Sequence, residues 1–237
     1  MEHRNVNAQH GQGMYSASHA GTDLSASTTK VLRNTYSLLA MTLAFSAIMA
    51  AVSMSVGLGR GASLVCSITA LVLVWFVLPR TANSSAGIGV VFAFTGLMGL
   101  SLGPMLHYYL ALPSGGAMVM QALGGTALVF FSLFAYVVTT EKDFSFMGGF
   151  LFAGLMVVLF AMVGGLVASL FGVDVSAFQL AMSAAIVLLM SGFILFDTSR
   201  IVNGGETNYI MATTALYLNI YNLFVSLLHL IGAFSDD

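Results

Sequence analysis

The scarcity of charge in this chain constrains it most. From Arg33 to Arg60 there is no Asp, Glu, Lys or Arg. The same holds from Arg60 to Arg80, Arg80 to Glu141, Asp143 to Asp174, Asp174 to Asp197 and Glu206 to Asp236. Charged residues make up 7 % of the sequence, against roughly 25 % in a soluble domain. Apolar runs of about 20 residues are what crossing a ~30 Å hydrocarbon layer requires. In lipid such a segment must be a helix, because each backbone amide needs a partner within its own segment. The sequence therefore predicts an all-α polytopic membrane protein in contact with membrane lipid.

Seven spans are expected, near residues 34–56, 62–79, 86–103, 117–138, 148–171, 177–197 and 210–233. Six remain possible if the moderately polar last segment only dips into the membrane. Turn signals separate the spans. Gly57 to Gly61 reads as a tight turn, Pro79 as the end of the second span, and Pro104 with Pro113 to Gly116 as brackets of the next loop. Thr140 to Asp143 and Asn203 to Gly205 supply the remaining breaks.

Orientation follows from Lys and Arg. With the N-terminus inside, Arg4, Lys30, Arg33, Arg80, Lys142 and Arg200 fall on the cytoplasmic side and only Arg60 on the other. Seven spans then place the C-terminus outside the cytoplasm. Residues 1–29 are polar and rich in Ser, Thr, Gly and His. They lack the apolar core of a signal peptide and read as a flexible cytoplasmic tail, with residues 30–237 as the membrane domain. Cys66 is the single cysteine, so no internal disulfide is possible. A net charge of −2 gives no reason to expect a nucleic-acid partner.

Small residues mark faces where helices could approach closely. Ser37, Ala40, Ala44, Ala47 and Ala51 line one face of the first span, and Gly99 with Gly103 and Ala161 with Gly165 form spaced pairs. Gln121 and Gly124 to Thr126 read as close packing with one amide to satisfy.

Two polar features need a function or a structural reason. Asn219, Asn222, Ser226 and His229 recur at spacings of three and four, which sets them in one stripe along the last helix. The stripe should face the bundle interior, either bonding neighbouring helices or lining a hydrated path. Asp197 closes the apolar run Ile186 to Phe196. A carboxylate at that depth should pair, with Arg200 or Arg80 as counter-charges, or protonate easily. It could also be a plain helix-end residue in the headgroup layer. Asp197 is therefore the gating or proton-sensing candidate, with the stripe on the last helix offering it partners. No catalytic, cofactor-binding or metal set is expected. There is no Gly-x-Ser-x-Gly turn, no His-Glu-x-x-His pair and no second intramembrane acid for an aspartic dyad.

Several stretches resemble the Bax inhibitor-1 family, and in particular its bacterial branch. They are Ile194 to Tyr209 (ILFDTSRIVNGGETNY), Ala215 to Phe224 (ALYLNIYNLF), Lys30 to Tyr36 (KVLRNTY), Ala122 to Phe131 (ALGGTALVFF) and Lys142 to Phe146 (KDFSF). The resemblance implies a seven-helix bundle with the last helix central. It also implies one of two activities. One is an inner-membrane regulator that binds and inhibits the FtsH protease and is degraded by it, with residues 1–29 as the handle the protease pulls. The alternative is a pH-sensitive calcium or cation leak. That leak's sensor is an aspartate pair on the sixth and seventh helices. Asp197 matches the first position, while the second falls on Asn219, which cannot ionise.

Overall fold

A computed structural model describes the backbone of residues 6–140 and 142–235, with side chains described from residue 26 onward, residue 141 excepted. Across residues 6–29, expected as the tail, the backbone is helix continuous with the first span, while residues 1–5 lie outside the described residues. Seven helices among the described residues are long and apolar enough to cross a membrane, and the chain is all-α in this region. They are α1 (Val6–Ser55, crossing over Ala26–Ser55), α2 (Arg60–Thr81), α3 (Ser85–Leu110), α4 (Gly115–Thr140), α5 (Gly148–Leu170), α6 (Ser176–Val202) and α7 (Tyr209–Ser235). Six of the seven spans begin within three residues of the expected start; the first begins at Ala26 instead of residue 34.

The prolines depart from expectation for a chemical reason. Pro79 does not end α2. It lacks the N–H that a regular helix needs at that point, and the backbone widens into a π turn over Leu73–Val77 before resuming as α-helix to Thr81. Arg80 donates a guanidinium hydrogen bond to the Phe76 carbonyl beside this turn. Pro104 likewise sits inside α3. Its missing N–H leaves the Leu100 carbonyl without its helical donor, and Ser53 of α1 reaches across to donate to it at 2.7 Å.

The last helix is central. α7 packs against α1, α3, α4 and α6. It buries Thr213, Leu216, Tyr217, Leu223 and Leu228 almost completely. By contrast α2 rests on α3, and α5 on α6. Their remaining faces carry exposed Leu64, Trp75, Phe150, Phe160 and Leu170, which are the lipid-facing side chains of the bundle.

Close approach occurs at the α1–α3 seam. A Cβ on Gly99 would lie 2.3 Å from the Ser46 carbonyl oxygen, and one on Gly103 would lie 2.1 Å from the Ser53 hydroxyl. Gly165 instead receives the ring of Phe178, where a Cβ would come within 2.5 Å. The small face expected to pack in α1 is turned the other way. Ser37, Ala40, Ala44, Ala47 and Ala51 are all exposed, while Leu38, Leu39, Thr42, Ser46, Ala50 and Ser53 point inward. Gln121 and Gly124 are also on an exposed face of α4. Lipid and protein interior are similarly apolar, so small residues can line either side of a membrane helix.

Candidate functional site

The charged ends of the bundle differ. One end carries Arg80, Lys142 and Arg200, and the opposite end carries Arg60. Near the basic end, α6 runs on to Val202, five residues past Asp197. At 1.5 Å per residue this sets Asp197 about 7 Å inside the helix end. Its neighbours Thr198 and Ser199 are fully buried.

Asp197 is joined to α7 by one hydrogen bond. The Asn219 side-chain amide donates to its Oδ2 at 2.7 Å. Neither expected counter-charge pairs with it. Arg200 forms an ion pair with Glu206 at 3.4 Å and stacks over the Phe196 ring at 5.6 Å, and Arg80 is engaged by the Phe76 carbonyl. The reason is local geometry. Arg200 is three residues beyond Asp197, and the turn Asn203 to Asn208 brings Glu206 back beneath it. Gly204 takes the positive φ of 73° that this turn requires.

The residues flanking Asp197 anchor this corner. Ser199 accepts the Phe144 N–H at 2.8 Å and donates to the Lys142 carbonyl at 3.2 Å, tying the α4–α5 connection to α6. Thr198 meets the Tyr36 hydroxyl of α1 at 3.4 Å. Asp197 thus lies where α1, α6, α7 and one loop are held together.

The polar stripe of α7 does not form a single path. Asn222 turns its amide onto the Leu218 carbonyl of its own helix at 2.8 Å. Ser226 and His229 line a separate cavity of about 390 Å³ towards the opposite end, between α5, α6 and α7. There His229 Nδ1 lies 2.8 Å from the Ser183 hydroxyl. The stripe is therefore two groups separated by Asn222, which bonds to its own helix.

A second polar row on α7 escaped the sequence reading. Tyr217 meets the Ser46 hydroxyl at 2.7 Å and donates towards the Thr95 carbonyl at 3.4 Å, and Tyr221 meets Ser101 at 3.3 Å. Spacing four apart on a helix was the available signal, but tyrosine in an apolar run reads first as bulk. Among the described residues, no three His, Cys, Asp or Glu come together as metal ligands.

In the loops, Asp143 accepts the Ser145 N–H at 2.8 Å and Asp174 the Ser176 N–H at 2.9 Å. The hydroxyl and N–H of Ser145 hold the Asp143 carboxyl below the usual range, and the N–H and hydroxyl of Ser176 do the same for Asp174.

Comparison with known proteins places the chain in a wider group. The family described as "Inhibitor of apoptosis-promoting Bax1" matches residues 28–236. The chain is 51 % identical over 222 residues to the "Modulator of FtsH protease YccA" of Escherichia coli K12, covering 94 % of this chain and 98 % of that one. It is 51 % identical over 210 residues to an uncharacterized membrane protein of Vibrio cholerae, covering 89 % and 92 %. A third relative, an uncharacterized protein of Pseudomonas aeruginosa, is 50 % identical over 207 residues, covering 87 % and 90 %.

Proposed function

From the premise that this chain belongs to the Bax inhibitor-1 family of membrane proteins, we propose that it binds an FtsH-type membrane protease, restrains it, and is itself a substrate. The chain is a multi-pass inner-membrane protein of a family that is not enzymatic. The observation that carries the proposal is the 51 % identity to the Escherichia coli FtsH modulator over nearly the full length of both chains. Six of the seven basic residues falling on the N-terminal side support a cytoplasmic N-terminus. There residues 1–29 would offer an ATP-driven protease a segment to grip.

Co-purification tests the interaction. The tagged full-length chain, extracted from native membranes in mild detergent, is expected to retain FtsH through washing and gel filtration. Extraction under the same conditions with FtsH left in the unbound fraction would contradict direct binding.

A further inference from the structure

A cavity of about 370 Å³ lies between α1, α3, α4 and α7, away from Asp197. Its walls run from Leu43 to Met54 on α1 and from Val119 to Phe131 on α4. At 1.5 Å per residue, those stretches are about 17 Å long and follow the helix axes. The volume spread over that length forms a long slot along the helix axes, the shape of a hydrocarbon strand rather than of a compact ligand. Near the basic end Phe130 of α4 floors the slot, its ring 6.1 Å from that of Tyr36 of α1, centroid to centroid. Above that floor Ala47, on the outward small face of α1, and Ala127, on α4, stand at the rims and are exposed.

We propose that this slot is a binding site for a single acyl chain of a bilayer lipid, admitted sideways between α1 and α4. The opening lies within the membrane-spanning length of both helices, so whatever enters it comes from the hydrocarbon layer. Water is a poor occupant. A buried water needs two to four polar partners, and the hydroxyls on these walls are already engaged. Ser46 and Tyr217 bond to each other, Thr126 donates to the Ala122 carbonyl, and Tyr221 meets Ser101. An empty slot would forfeit dispersion contacts along its whole length. An acyl chain restores them and demands no hydrogen bond.

The test uses the full chain in phosphatidylethanolamine–phosphatidylglycerol vesicles. These are doped with a lipid bearing a diazirine midway along one acyl chain. After illumination, adducts are mapped by mass spectrometry. Tyr217, Ile220 and Phe224 line the slot and are 1 %, 8 % and 7 % exposed. A lipid merely surrounding the bundle does not reach them, so adducts on these residues are expected. Ala127→Phe, which fills the rim, should lose the inner adducts while keeping those on outward Phe160. Leu128→Phe, on an exposed position beside it, should keep both. If Ala127→Phe does not fold, Ala47→Leu from the facing rim gives the same reading. Adducts confined to outward residues in the unmodified chain would overturn the proposal. So would inner adducts that survive the rim substitutions. Inner adducts that form in vesicles but not in native membranes would assign the slot to a protein helix instead.

Discussion

A carboxylate bonded to one amide has no second acid beside it with which to share a proton. Asp197 is held by Asn219 at 2.7 Å and by no ion pair among the described residues. Two carboxylates at this distance would repel when both are ionised, and one proton could then switch their spacing. Asn219→Asp is therefore expected to create acid-dependent calcium flux in liposomes, while the unmodified chain shows little. Strong acid-dependent flux in the unmodified chain, abolished by Asp197→Asn, would promote the cation leak to first place. The same bond predicts a stability effect. Asp197→Ala strands the amide of Asn219, which is 7 % exposed, and should cost about 1–3 kcal/mol in unfolding from detergent. Asp197→Asn keeps an acceptor and should cost less. The loop acids supply a control for pH. Asp143 and Asp174 are held below the usual carboxylate range, so what they contribute to the folded loops is present above that range and lost only as pH falls through their lowered values. Both stay ionised at neutral and mildly acidic pH. Asp143→Asn and Asp174→Asn should leave any response in that window unchanged, as read in the same flux experiment.

Helix number was legible in the sequence because charge-free runs and turn residues report crossing and breaking directly. Helix rotation was less so. A soluble helix shows its buried side by polarity, but in a membrane both sides of α1 are apolar. The outward small face at Ala40, Ala44 and Ala47 could not be told from an inward one. Pro104 misled for a related reason. Whether a helix survives a proline depends on whether another helix can serve the freed carbonyl, and Ser53 lies 47 residues away in sequence. Asn219 and Asp197 could be singled out because amides and acids are costly in lipid. Their pairing with each other, and the turn of Asn222 onto its own helix, required the packing of α6 on α7. At this scale the glycine seam is the sharpest test. Gly99→Val or Gly103→Val would drive a side chain into α1 and should destabilise the fold by roughly 1–3 kcal/mol. Gly164→Val, where a Cβ meets nothing within 4 Å, should change little. Thermal unfolding of the purified variants in one detergent decides between these outcomes. Equal melting temperatures would mean that α1 and α3 do not approach as closely as described.

As a whole molecule the protein is a lipid-facing bundle around α7, with six of its seven basic residues assigned to one side. With the N-terminus inside, alkaline phosphatase fused after Asp237 should be active and green fluorescent protein fused there should be dark. The reverse pattern would place the C-terminus in the cytoplasm. Regulation of proteolysis is the property that most needs measuring. Residues 1–29 lack the apolar content to fold alone, and the membrane crossing of α1 begins at Ala26, so a chain shortened to start near Ser27 keeps nearly all of it and should still insert. Without its handle it should resist degradation and go on occupying the protease. The most direct measurement is a pulse-chase of a second FtsH substrate in cells with the full chain, with the shortened chain, and with neither. A regulator of this kind lengthens the substrate's half-life, more so when shortened, and only where FtsH is active. An unchanged half-life in all three strains would contradict it.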